Sequence, residues 1–403
     1  MATNSATAHC QFAFVLFVVL VSVSDNASAA DRYVSPSGFG SRSGDTPDNA
    51  APFARFNEQI AAAGAGGRVL FRTDQGPYGG SHRPITYGGA SGSPVTLSGV
   101  DGDGNDAIVE VVGNDRPFFE LMSGADNLRF VGWSFTNTNQ GAIRIRSAIS
   151  GLVLERIDGT GLRQLVDTDD GASLSGFRFD RLTSSRFSKA FVGLRNASHG
   201  VIENCILDSN WQDNDPIPEG IHIDGDSYDI TIRNVSIRHI VYSKFGDPDR
   251  YWNGDGIATE RATRDIRIVG VYVDGAADAG FDLKGGTQGY PHRISASAAT
   301  NVKRGLKVWG VTVATDVRLK NIKLPSVTLL DGSVLTQSFE AGPPYPVEVV
   351  KGARLYHSAI SVDGRRFTRK QAHVGERARL YPARTWRANK KRAKRARTSI
   401  HRE

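Results

Sequence analysis

The chain has two cysteines in 403 residues. That excludes a disulfide-stapled scaffold, which carries cysteine far more densely. It also has no apolar stretch of the ~20 residues that a spanning helix requires. The run from Phe12 to Ser24 is only 13 residues long, so a polytopic membrane protein is excluded. No glycine-rich nucleotide loop, zinc-ligand spacing or Ser/His/Asp arrangement stands out. Nucleic acid is not among the expected partners.

Glycine, by contrast, is abundant, with 44 copies, where an average chain of this length would carry about 7%. Glycine and β-branched residues without long helical stretches point to an all-β protein. The formal charge of +7 hides a split. Residues 365–403 hold 15 Lys/Arg against two acids, leaving a mildly acidic body and a basic tail.

The Phe12–Ser24 run is followed by Ala27-Ser28-Ala29, a small-x-small cleavage signal. Residues 1–30 therefore read as a secretory signal peptide, and the mature protein as secreted or periplasmic, with no transmembrane segment. Cleavage would remove Cys10 and leave Cys205 alone between Ile202 and Leu207, buried and inert.

A unit of the form h-x-h-x-(Asn/Gly)-h-x-h, with h apolar, recurs along the chain. It is written as Leu128-x-Phe130-x-Gly132-Trp133-x-Phe135, as Ile230-x-Ile232-x-Asn234-Val235-x-Ile237, and as Ile266-x-Ile268-x-Gly270-Val271-x-Val273. Its pivots fall at 132, 156, 181, 204, 234, 270, 296 and 321. A period near 25 residues marks a solenoid. The alternation on either side of the pivot is that of a strand. Asn and Gly tolerate the left-handed backbone, so the chain can turn a corner there. Strand, corner, strand is a parallel β-helix, its coils about 4.8 Å apart.

These coils, with the lead-in Tyr33-Val34-Ser35-Pro36-Ser37-Gly38, resemble the right-handed parallel β-helix superfamily of pectin and pectate lyases, polygalacturonases and alginate-acting enzymes. The resemblance implies a right-handed solenoid and a carbohydrate-active, monomeric protein. It spans lyases, hydrolases, epimerases and non-enzymatic adhesins.

The expected organisation places a lead-in at 31–99, with a capping helix from Pro52 to Ala63. Phe53, Phe56 and Ile60 share one face of that helix, and Gly64 ends it. Coils run from 100 to 325. A small C-terminal β extension, 326–383, caps the last coil, and 384–403 form a disordered basic arm that contacts anionic polymer or lipid.

Four coils share a strand upstream of the corner. They read Gly220-Ile221-His222-Ile223-Asp224, Gly256-Ile257-Ala258-Thr259-Glu260, Gly280-Phe281-Asp282-Leu283-Lys284 and Gly305-Leu306-Lys307-Val308-Trp309. Alternation turns the third and fifth positions outward. Stacking then gives two columns. One is His222, Ala258, Asp282, Lys307; the other is Asp224, Glu260, Lys284, Trp309. Asp226, Asp255 and Arg304 flank them. The two longest coil intervals insert Trp211, Tyr251 and Trp252 just before this strand, aromatic walls suited to sugar faces.

Three chemistries fit: β-elimination on a uronic acid polymer, hydrolysis by a carboxylate pair, and C5 epimerisation. A fourth possibility is a binding protein without catalysis. By the resemblance, Lys284 is the base in elimination. Lys307 or Arg304 neutralises the substrate carboxylate, and His222 donates a proton. Asp224, Glu260 and Asp282 hold Lys284 or a Ca²⁺. For hydrolysis, Asn253-Gly254-Asp255-Gly256-Ile257 and Arg304-Gly305-Leu306-Lys307 echo polygalacturonase motifs, but Gly-His-Gly is absent and no Asp-Asp lies on these four aligned coils.

Overall fold

The structure is a computed structural model. It describes residues 29–382, except 81, 114–115, 137–139, 211–217, 241–253, 325–326, 331–333, 342–346, 350–353, 363–364, 367–371 and 375–378. The leader through Ser28, the basic tail and the aromatic residues Trp211, Tyr251 and Trp252 lie outside the described residues.

The repeat folds as its spacing dictates. Tyr228–Arg233 forms one strand, Asn234 turns the corner with φ of 54°, and Ser236–Ile240 forms the next. Ile230, Ile232 and Ile237 point inward and are fully buried. The next coil repeats the pattern in register, with Ile232 opposite Ile268 and Ile268 opposite Ile294. All eight expected pivots adopt the left-handed conformation: Gly132, Arg156, Arg181, Asn204, Asn234, Gly270, Ala296 and Asn321, with φ between 48° and 68°. Among the described residues the strands form two hydrogen-bonded sheets of twenty-four and twelve strands. Nearly all pairings are parallel, and the architecture is that of a β-helix. No helix among the described residues is long and apolar enough to cross a membrane.

The eighth is a corner, but not the one that continues the series. Ala296 aligns with Asp316, which carries φ of 52°, because Ser295 pairs with Thr315 and Ser297 with Val317. Asn321 instead stacks on Asn301 at a different corner, the two amides 3.2 Å apart. Apolar alternation runs through both corners of this coil, so asparagine alone did not identify which one was the pivot.

The C-terminal boundary is corrected too. Val334–Ala341 pairs in parallel with Val311–Lys320, Arg354–Val362 with Val334–Ala341, and Arg379–Pro382 with Arg354–Val362. Val327–Leu329, Val347–Val349 and Ala372–Val374 extend the twelve-stranded sheet in the same way. The segment read as a separate cap continues the coils.

At the other end the helix is Phe56–Ala63, preceded by a 3-10 turn, Phe53–Arg55, and closed by Gly64 at φ of 68°. It starts later than expected because Pro52 is extended and pairs beside Ser35. Phe53 packs against Phe71, Tyr78 and Phe118, and Phe56 against Phe119, with centroids 5.1 to 6.2 Å apart. These rings cover the apolar end of the solenoid. Trp133 is fully buried in the same cluster, its indole N–H donating to Leu97 O. Cys205 is buried as expected, and burial pushes its thiol up to about 12.

Candidate functional site

The first column assembles as the alignment requires. His222 lies opposite Ala258, Ala258 opposite Asp282, and Asp282 opposite Lys307. The column continues back through Gly193 and Asp167 to Arg144. The second column follows one residue past the paired strands. There Glu260, Lys284 and Trp309 each donate their backbone N–H to the coil before.

The columns face away from the apolar core, but they are not the open charged strip that alternation suggested. Ala258, Asp282 and Lys307 are buried, with exposures of 1%, 3% and 9%. Charged partners from the preceding turn close over them. Lys307 Nζ donates to Asp278 Oδ2 at 2.8 Å and to Asp282 Oδ2 at 2.7 Å. Arg304 donates to Asp278 Oδ1 at 2.7 Å, and the Trp309 indole to Asp282 Oδ1 at 2.7 Å. Asp255 Oδ1 accepts the Ala279 N–H at 2.8 Å. Burial, with Asp282 and Asp278 alongside, raises the Asp255 carboxyl well above the carboxylate range. Burial works against the Lys307 charge, yet the Asp255, Asp282 and Asp278 carboxyls outweigh it and hold the ammonium above its ordinary value.

Asp224, Glu260 and Asp282, the expected Ca²⁺ ligands, are not brought together as one group among the described residues. Asp224 pairs with Arg195, whose other nitrogen reaches Asp170, and Glu260 pairs with Lys284. Asp226 is drawn to Arg264 on the outer turn, away from the columns. The carboxylates that do converge are Asp255, Asp278 and Asp282, with an oxygen of each within 4.8 Å of the others. An all-oxygen set suits a hard cation. Here Lys307 already bridges two of the three, and Arg304 takes a further oxygen. Three carboxyls, one of which resists ionisation, are balanced by two side-chain cations. A divalent ion would have to displace the ammonium and leave buried excess positive charge. The residues as arranged do not fit Ca²⁺.

A second, more accessible group lies beside this cluster. Lys284 donates to Glu260 Oε1 at 2.6 Å, and their side chains are 25% and 31% exposed. Burial opposes the Lys284 charge. The hydrogen bond to Glu260 and the nearby Asp282 and Asp255 outweigh it, so the ammonium is held above its ordinary value. This is the opposite of what a proton-abstracting lysine needs. His222 Nδ1 lies 3.1 Å from Glu219 Oε2, and Nε2 lies 3.9 Å from Glu260 Oε1. Burial lowers the imidazole and keeps it neutral. Burial raises Glu219 to about 8.

Glu219 and Asp278 escaped the sequence reading. Glu219 and Asp255 stand opposite each other, one residue before the aligned Gly220 and Gly256. Two acids at the same offset in successive coils were the available signal. Asp278 lies in the turn before Ala279–Leu283, outside any strand alternation, and nothing in the pattern marked it.

No family model matches the sequence, and no curated protein matches it. Several solved structures are similar. The pectate lyase Pel9A superposes with a TM-score of 0.53 at 14% identity, over 85% of this chain and 82% of that one. An alginate lyase from Paenibacillus sp. str. FPU-7 gives 0.46 at 13% identity, over 81% of this chain and 95% of that one. A lacto-N-biosidase from Eubacterium ramulus gives 0.47 at 12% identity, over 88% and 68%. The likeness to Pel9A is one of fold, the parallel β-helix.

Proposed function

We propose that the protein is an exported polysaccharide lyase acting on a uronic acid polymer. The observation that carries this reading is the Lys284–Glu260–His222 group. A lysine held charged and a neutral imidazole stand two coils apart on one outward face, with Glu260 on the coil between them. The fold shared with a pectate lyase supports the substrate class.

Lysine and imidazole divide the work of β-elimination between them. Lys284 neutralises the substrate carboxylate, which acidifies the neighbouring C5–H. His222 removes that proton. The C5–H electrons form the C4–C5 double bond, the C4–O bond breaks, and the leaving oxygen takes a proton. This moves the base from Lys284, as the resemblance implied, to His222, and the neutralising charge from Lys307 or Arg304 to Lys284. Lys307 and Arg304 are committed to Asp278 and Asp282 and act as the frame behind them.

The test is incubation of the protein with pectate and with alginate. Growth of the unsaturated-uronate absorbance band supports elimination. Reducing ends without that band would instead support a hydrolase. The hindered ionisation of Asp255 beside Asp278 and Asp282 favours that as the second reading, since one acid and one carboxylate are its minimum equipment. Retention on the polymer with neither signal would leave a binding protein.

A further inference from the structure

We infer that Glu219 is the positioning partner of His222, forming with it a dyad that switches the imidazole between proton-donating and proton-accepting tautomers. This rests on the elimination reading above. Nothing in the sequence motifs or the related folds assigns a role to Glu219.

Three observations carry it. Glu219 and His222 lie on one strand, Glu219–Asp224, with Glu219 Oε2 and His222 Nδ1 3.1 Å apart. Glu219 is 6% exposed. Among the described residues, its Oε2 and His222 Nε2 are both buried and without a hydrogen bond, an expensive state for two polar atoms unless function uses them. Finally, His222 stands in its column between Gly193 on the preceding coil and Ala258 on the following one. Neither neighbour has a side chain beyond a methyl and the His222 side chain is 24% exposed, so a sugar could reach the ring's edge along the column and uncover the buried Nε2 on binding.

The protonation logic follows from the ring's two nitrogens. In the dyad a small rotation turns the 3.1 Å contact into a hydrogen bond: while Glu219 holds its proton, the carboxyl O–H donates to Nδ1 and the ring hydrogen sits on Nε2. That form is no base. Once Glu219 ionises, Nδ1–H donates to the carboxylate and Nε2 offers its lone pair. The carboxylate also stabilises the imidazolium formed when Nε2 takes the C5 proton. The same proton then passes to the departing C4 oxygen, so the dyad ends as it began. The groups facing His222 are Glu260 and Asp224, which favour its charge, and Lys284 and Lys189, which oppose it. Facing Glu219 are Lys284 and Lys189, which favour ionisation, and Glu260 and Asp282, which oppose it. With Glu219 raised to about 8, elimination should quicken as pH passes through that value.

The experiment compares the pH–rate profiles of wild type, Glu219→Gln and Glu219→Asp on whichever uronate polymer wild type cleaves. Glu219→Gln should lose on the order of 10²-fold in kcat with KM little changed, and should lose the alkaline rise. Glu219→Asp should keep the rise at reduced rate. In wild type, nitrogen shifts of the His222 ring should show the hydrogen moving from Nε2 to Nδ1 over the same pH range. A Glu219→Gln enzyme with kcat within a few-fold of wild type and an unchanged profile overturns the dyad and leaves the lyase reading standing. A pH-invariant His222 tautomer in wild type overturns it even if the variant does not fold. Wild type that generates no unsaturated product from any uronate polymer overturns both.

Discussion

Lys307 faces Asp282 across one coil of the first column, and its ammonium donates to the carboxylate at 2.7 Å. Its second bond, to Asp278 at 2.8 Å, places this lysine where a metal ion would otherwise bridge the two carboxylates.

Lys307→Met should therefore create a cation site. Three carboxyls within 4.8 Å would lose their ammonium. The variant should be destabilised in chelator by about 3 kcal/mol or more, as expected when one partner of a buried ion pair is removed. Added Ca²⁺ should recover much of that in a thermal melt, whereas wild type should melt alike with Ca²⁺ or chelator. A wild-type transition that moves several degrees with Ca²⁺ would contradict the account of this cluster.

Lys284→Ala should cut kcat/KM on an acidic polymer by roughly 10²-fold, an electrostatic loss at the reacting carboxylate. Lys284→Arg should retain more, because charge rather than deprotonation is what the site needs. If arginine is as poor as alanine while both variants fold, lysine is the base after all. Steady-state kinetics on the substrate identified above decides it.

His292 gives a stability signature. It is fully buried, its Nε2 2.8 Å from Lys284 O and its Nδ1 accepting the Ile266 N–H. Burial lowers the imidazole from 6.5 to about 4. An unfolded chain takes up the proton near 6.5, whereas the folded one does so only near 4. Stability is thus complete above 6.5 and declines as pH falls toward 4, by on the order of 3 kcal/mol. Denaturant unfolding at pH 7 and pH 4.5 should show this loss in wild type, and a smaller one in His292→Gln.

Ala296 is a non-glycine residue at a corner, with φ of 48°. Ala296→Gly should stabilise the protein by about 1 kcal/mol, because glycine bears no steric penalty there. Gly310→Ala should do the reverse. Its Cβ would lie 1.3 Å from the Gly285 carbonyl oxygen, a backbone atom directly after Lys284. A loss of more than about 3 kcal/mol, or failure to fold, is expected, and an unaltered melting curve would refute the packing described there.

The coils were legible because the two-residue alternation and the left-handed corners are local properties of the chain. Even Arg156 and Arg181, poor residues for a corner, were located by period alone. The columns were legible for the same reason, since register fixes which residues stack. Their environment was not. Nothing in the alternation around Asp282 and Lys307 shows that Asp278, from a turn, would close over them. Nor does it show that Asp224 and Asp226 would be drawn to Arg195 and Arg264. Which partner a charge finds depends on turn geometry and burial. The same limit put the last pivot at Asn321 and ended the coils too early.

Because each rung lies directly on the one before, Glu203 meets Arg178 from the previous rung and Arg233 from the next. The chain can thus be edited in whole-rung quanta. Excising the 24 residues that separate Val153 from Arg129 would bring like onto like and spare the far rungs. Excising a single residue from Ala279–Leu283 would turn Asp282 into the apolar interior and dismantle the site at once.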